Sequence, residues 1–282
     1  MLIDAIRAEL FRFSRNGTVW LWSLLVIPLG SAIVGIFARQ FLMTSLQKAA
    51  ASSPASLVIP KAAMNLGDVI TDQTAQLAGI NLLAFFLIAA ATISASDYRW
   101  ESWRLIRPRN SRRNLILGKG IAIAVIALVP LSLHLVCETF GRIISASLEN
   151  RSIVIGFETK QAGATVLMFV VAWLRTLQVA ALALLAGVAT RSIFGGYVVP
   201  MAVSAGTFLL AGMLSGFGWD ANQWRTLLLF PAKAHDVLQS ALAGGPIPAA
   251  TNVKAIIGLM FWLAAPTALA VWLFERQDLS KE

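Results

Sequence analysis

The stretch DYRWESWRLIRPRNSRRNLILGK, Asp97 to Lys119, decides how this chain is read. It carries Arg99, Arg104, Arg107, Arg109, Arg112, Arg113 and Lys119, seven of the chain's 23 cations, and long apolar segments flank it on both sides. Short loops rich in Lys and Arg resist translocation and stay cytoplasmic. The stretch is therefore expected to form a hairpin between two membrane spans and to set the topology of the whole chain.

Composition agrees. The chain is 57% hydrophobic and only 13% charged, with a mean hydropathy of +0.73, whereas a soluble domain is about one quarter charged. The expected fold class is all-α: a polytopic membrane protein with six transmembrane helices in a single domain over residues 1–282. A net charge of +9 raises nucleic acid as a partner. The cations, however, cluster at the ends of apolar segments, so the lipid bilayer with its anionic inner leaflet is the expected counter-surface, and nucleic acid is not. Cys137 is the single cysteine, which excludes an internal disulfide framework and a Cys-rich metal site. The first apolar run is about 20 residues, too long for a signal-peptide core, and reads as a retained span.

Residues 1–15 place Ile3, Ile6, Leu10 and Phe13 at helical spacing, with Asp4, Arg7, Arg12 and Arg15 off that stripe. This predicts an amphipathic helix lying in the membrane interface; the alternative is a cytoplasmic extension of the first span. Asn16-Gly17 breaks it, and Thr18 is placed to cap the first span. Spans are expected at about 18–38, 74–95, 115–140, 163–189, 193–217 and 253–274, each long enough to cross. Trp20 and Trp22 anchor the first at the interface, Pro28 is expected to kink it, and Pro130 lies inside the third. Ser52-Ser53-Pro54 and Pro60 break an outer segment. The fifth span is rich in small residues, among them Gly195, Gly196, Gly206, Gly212 and Gly216, which let helices approach closely. Residues 218–253 are too short and broken to span and read as dipping into the outer leaflet. With the basic hairpin inside, thirteen cations fall on short internal segments and nine on longer external ones, so both termini are expected inside.

Several chemistries are missing. There is no GxxxxGK[ST] phosphate loop, no HExxH and no GxSxG elbow. His134 and His235 lie too far apart in sequence to suggest a metal pair, and Asp68 and Asp72 read as solvated decoration of an outer helix. The chain is expected to carry no catalytic residue, no metal and no cofactor.

Three segments bear a resemblance. IRAELFRFSRNGTVWLW is similar to an amphipathic entry helix followed by an Arg-polar turn and a first span. SASDYRWESWRLIRPRNSRRNLILGKGIAI has an acidic residue, a polar-aromatic helix, an Arg-Pro break and a Gly-Lys opening the next span. AALALLAGVATRSIFGG runs from a small apolar helix end through a Thr-Arg-Ser turn. Together they cover about a third of the chain, and in this order they resemble the small six-span permease subunits of ABC-2 type transporters. Trp103 departs from the pattern, since many members carry a smaller residue there. The resemblance implies an exporter in a bacterial plasma (inner) membrane, paired with a second permease copy or paralogue. It also implies a separate ATP-binding cassette ATPase subunit that holds ATP and Mg. The helix between spans 2 and 3 would then be the coupling element that packs into a groove of the ATPase, within a cytoplasmic loop over residues 97–113. Its contact residues would be Asp97, Tyr98, Arg99, Trp100, Glu101, Trp103, Arg104 and Arg107. On a helix over 97–106, Asp97, Glu101 and Arg104 share one face and Trp100 and Trp103 another; aromatic anchors beside Arg are the composition of an interface centre. The plainer alternative is that the tryptophans anchor the loop at lipid headgroups and the arginines only set topology.

Within the membrane, Arg175 lies mid-span, where a charge costs about 2.5–3.5 kcal/mol, so it is expected to face the interior and find a partner. Glu138, with His134 one turn deeper, is the nearest by depth, and Gln178 shares the helical face of Arg175. These groups either line the translocation path or form a neutralised pair between spans 3 and 4. Two other classes of function stay open: an ion-driven secondary transporter, and a non-transporting membrane scaffold or immunity protein. An apolar bundle leans towards lipids, hydrophobic peptides or drugs as substrate.

Overall fold

A computed structural model describes residues 2–51, 62–99, 110–220 and 222–277. The chain is an all-α protein with six helices long and apolar enough to cross a membrane. In order they are α1 (Leu2–Ser14), α2 (Gly17–Trp20), a π turn (Leu21–Leu25), α3 (Val26–Ala51), α4 (Leu66–Ala75), α5 (Ile80–Arg99) and α6 (Arg112–Leu148). Beyond these come α7 (Thr159–Thr190), α8 (Ile193–Met213), a 3-10 turn (Leu214–Phe217), α9 (Trp224–Leu229), α10 (Pro231–Leu242) and α11 (Ala249–Arg276). A two-residue parallel ladder, β1 (Met64–Asn65) with β2 (Ile153–Val154), joins two loops at one end of the bundle. The six candidate spans are Gly17–Ala49, Ile80–Tyr98, Arg112–Leu148, Thr159–Thr190, Ile193–Met213 and Ala249–Arg276.

Local chemistry explains the boundaries. Asn16, not Thr18, caps the first span by accepting from Val19 N, at 3.3 Å. The π turn precedes Pro28, which has no N–H for the carbonyl one turn back; a widened turn is a common way to absorb such a defect. Helix α4 is separate from α5 because Ala78 takes a left-handed φ of 60° between them, and Asn65 caps α4 by accepting from Gly67 N. The Thr190-Arg191-Ser192 turn forms as the sequence predicts: Arg191 adopts a left-handed φ of 53° and Ser192 caps α8. The helix α5 runs unbroken through Asp97 and Tyr98 to Arg99, so these residues form its last turn and do not begin a separate helix.

The core lies between α5, α6 and α7, with Phe86, Leu87, Ala127, Leu131, Ala172 and Ala183 at its centre. The best apolar window of α5 is 61% buried and that of α7 is 56%, against 17% for α8. So α5 and α7 are the inner helices, and α3, α8 and α11 turn most of their apolar surface outward, as lipid-facing helices do. Of the small residues of α8, Gly196 packs against Ala183 O and the Ala91 methyl, while Gly206 and Gly212, like Gly216 in the 3-10 turn, face open space. Helices α9 and α10 lie on α11 and α7 without crossing the bundle. Gly258 makes that approach feasible, since a Cβ there would sit 2.3 Å from Leu227 O.

Candidate functional site

A buried knot of four charges sits where α1, α5 and α6 meet, at the root of the basic hairpin. Lys119 lies seven residues into α6, about 10 Å below its start, among apolar neighbours. Its ammonium donates to Ile93 O at 2.6 Å and pairs electrostatically with Asp97 Oδ2 at 2.6 Å and Glu9 Oε1 at 3.0 Å. Arg12 Nη1 donates to Asp97 Oδ1 at 2.5 Å, and Arg12 Nη2 donates to Glu9 Oε1. Asp97 is 1% exposed and Lys119 0%; Glu9 is buried and Arg12 reaches out to water. Two carboxylates and two cations cancel, which is what lets the group stay inside.

The approach of α1 depends on Gly118. A Cβ at this position would lie 2.8 Å from the Ala5 methyl, so the Gly-Lys pair that opens α6 has a steric half and an electrostatic half. Glycine admits α1, and lysine then meets the carboxylate that α1 brings. The face of α1 turned inward is Ala5, Glu9 and Phe13, while Ile3 is 63% exposed. That differs from the apolar stripe read from the sequence, because Glu9 is neutralised in place and can occupy the buried face.

Next to the knot, α11 is tied to the same end. Tyr98 donates to Gln277 Oε1 at 2.7 Å, and Gln277 Nε2 donates to Val188 O at 2.7 Å. Arg112 Nη1 donates to Glu275 O and Gln277 O, a cation at the carbonyl end of a helix.

The hairpin's expected contact residues divide accordingly. Asp97 is corrected: its carboxylate is consumed inside the chain and does not stand on an open face beside Glu101 and Arg104. Tyr98 is half-buried against Gln277. The backbone of Arg99 ends α5, while Trp100, Glu101, Trp103, Arg104 and Arg107 lie outside the described residues, as do Ser52-Ser53-Pro54, Pro60 and the tail beyond Gln277.

The intramembrane polar residues also separate. His134 Nδ1 lies 3.3 Å from Ser31 Oγ, and Glu138 faces α3 at Gly35. Both therefore sit on the α3 side of α6, and Glu138 is not the partner of Arg175. Arg175, 7% exposed, donates to Gln178 Oε1 at 3.3 Å, and Gln178 Nε2 donates to Leu259 O at 2.8 Å, joining α7 to α11. Asp236 of α10 shares with Arg175 the wall of a cavity of about 270 Å³, together with His235 and Ser204. A larger, mainly apolar cavity of about 550 Å³ lies between α6, α7 and α11, with Arg113 and Glu275 among its lining.

Glu9 and Asp236 are residues of these candidate sites that sequence reasoning misses. A signal for Glu9 exists in its spacing, four residues from Ala5 and four from Phe13 on one helical face. Another is Lys119 itself, a cation opening an apolar span and therefore in need of a carboxylate. Among the described residues no group of three or more His, Cys, Asp or Glu gathers to hold a metal ion. No family model, curated protein or solved structure matches the chain.

Proposed function

We propose that this chain is the membrane-spanning permease subunit of an ABC-type transporter, an exporter in a bacterial plasma membrane. A pair of such permeases would work with a separate ATPase subunit that binds ATP and Mg. In this reading α1, the basic hairpin and the end of α11 face the cytoplasm, as the density of Lys and Arg on those segments supports.

The observation that carries the proposal is the four-charge knot. Asp97 stands where the hairpin begins and Lys119 where it ends, and Glu9 and Arg12 fasten α1 to both. Removing one partner from a buried ion pair costs about 3–5 kcal/mol, so the joint transmits displacement and does not yield. A push on the hairpin by an ATPase would therefore move α1, α5 and α6 together, and α5 is one of the two inner helices. The resemblance of the 94–123 segment to permeases of this class supports the same role for the hairpin.

The test is co-expression with the ATPase encoded beside it. Replacing Trp100, Glu101 and Trp103 by Ala is expected to abolish the complex, because aromatic anchors dominate such contacts. Asp97→Asn is expected to leave the complex assembled while lowering transport and its coupled ATPase activity. Unchanged complex formation and unchanged coupled activity in the triple variant would falsify the assignment.

A further inference from the structure

We propose that the cavity around Arg175 is a binding site for an oxyanion carried on an apolar body: a carboxylate or phosphate headgroup with a hydrophobic tail. The cavity, about 270 Å³, lies between the α4–α5 turn, α7, α8 and α10. A guanidinium offers five donors in a fixed fork and does not lose its proton. Among the described residues Arg175 uses one of them, in a 3.3 Å bond to a neutral amide, although it is nine-tenths buried. Gln178 is held in place by donating Nε2 to Leu259 O, so it offers the guanidinium one neutral oxygen and no charge.

The protein's own countercharge is a weak answer. The Asp236 side chain is 62% exposed and lies 3.3 Å from His235 Nδ1, and among the described residues no carboxylate lies within ion-pair distance of Arg175. A carboxylate outside ion-pair distance leaves the guanidinium fork unfilled, while its charge in the same wall opposes an incoming anion. A two-oxygen or three-oxygen anion entering the cavity would meet the fork bidentately, the geometry in which arginine binds most strongly.

The rest of the wall defines the body of the ligand. Leu83, Val179, Met201 and Phe208 are apolar, and Phe208, 66% exposed, continues onto the outward face of α8 beside Leu209. The volume holds a headgroup and the first methylenes; a longer tail would run along that face. This favours an amphiphile over free phosphate. That such an amphiphile is cargo rests on the permease reading, whereas its binding does not.

The experiment uses the full chain in phosphatidylcholine nanodiscs, titrated with octyl phosphate, with octanol as the uncharged control. Saturable binding and a rise in Tm are expected for octyl phosphate and not for octanol. Arg175→Gln should weaken binding about tenfold or more, since it removes the bidentate charge. Asp236→Asn should tighten it about threefold or more, since it removes the competing negative charge. Equal binding of octanol, or Arg175→Gln binding as wild type does, overturns the proposal. Should Arg175→Gln fail to fold, Asp236→Asn decides: tighter binding upholds the site, unchanged or weaker binding overturns it. Discs containing phosphatidylglycerol separate the sources. Competition with octyl phosphate identifies a bilayer lipid as occupant, and its absence identifies an anion delivered from water. No ATPase enters the assay, so loss of the complex in the hairpin variants and loss of this binding are independent results.

Discussion

Lys119 is a buried charge held between a carbonyl and two carboxylates, and its removal should be felt at once. Lys119→Met keeps the length of the side chain but leaves Glu9 and Asp97 facing each other with only Arg12, which is 38% exposed. The expected loss is about 3–5 kcal/mol, read from denaturant unfolding in detergent. Adding Glu9→Gln and Asp97→Asn should restore most of it, because the one charge then left, Arg12, reaches water and no buried charge is orphaned; a single variant as stable as wild type would show that the knot does not hold the helices. A second residue, Glu149, carries a pH prediction at the opposite end of the bundle. Hydrogen bonds from Arg39, at 2.6 and 3.3 Å, hold its carboxyl below the usual glutamate value, with smaller help from Arg151 and against some burial. Because the folded value is lowered, the unfolded chain binds more protons in this range. The contribution is complete above the ordinary glutamate pKa, about 4.3, and is lost as pH falls through the lowered one. The Tm gap between wild type and Glu149→Gln should therefore be widest near neutrality and begin to narrow only as pH falls below about 4.3. Carboxylates common to both chains cancel from that gap.

At the scale of elements, the docking of α1 on α6 turns on a missing side chain. Gly118→Leu would drive a bulky group into Ala5, where even a Cβ comes to 2.8 Å; overpacking of this kind costs about 1–3 kcal/mol. Amide exchange over Leu2–Ser14 should accelerate while that of α7 stays slow, and equal protection of α1 in both chains would refute the close fit. Elements also show what can be read from residues alone. The six apolar runs are plain because each backbone group in a bilayer must be satisfied within its own helix, which demands long uninterrupted apolar stretches. The end of α4 is not plain: residues 74–79 are apolar enough to continue a span, and only the left-handed Ala78 divides them from Ile80. Pairing by depth puts Glu138 opposite Arg175, but the face of a helix, not its depth, decides contact, and the 134/138 face looks towards Ser31 and Gly35. Counting apolar residues passes over Glu9, since a carboxylate looks out of place on a buried face until its cations are known. The broken stretch after residue 218 is legible as non-spanning, yet its role as the wall opposite Arg175 depends on α9 riding over Gly258, a tertiary approach that no local pattern announces.

For the whole molecule, the distribution of exposed apolar surface and the distribution of charge point along different axes. The outward faces of α3 and α8, with Phe37 71%, Phe41 77% and Phe194 74% exposed, describe a belt that needs lipid around it. The charges are sorted along the bundle axis instead: Arg112, Lys119 and Arg191 lie at one end, Arg39, Glu149 and Arg151 at the other. The helix α6 joins these two ends, and its 37 residues give a length of about 55 Å, well beyond the roughly 30 Å hydrocarbon core. Ser111 caps its start and Ser152 lies just past its end, both exposed, so two single cysteines can read its orientation in a Cys137→Ala background. Ser152→Cys should react with a membrane-impermeant maleimide on intact cells. Ser111→Cys, at a capping cost of about 1 kcal/mol, should react only after permeabilisation, because the hairpin beside it carries the cations that are not translocated. The two sites check each other: labelling of both from outside would deny that α6 crosses the membrane. The reverse pattern would place the basic hairpin outside and leave no route by which a cytoplasmic ATPase could touch it.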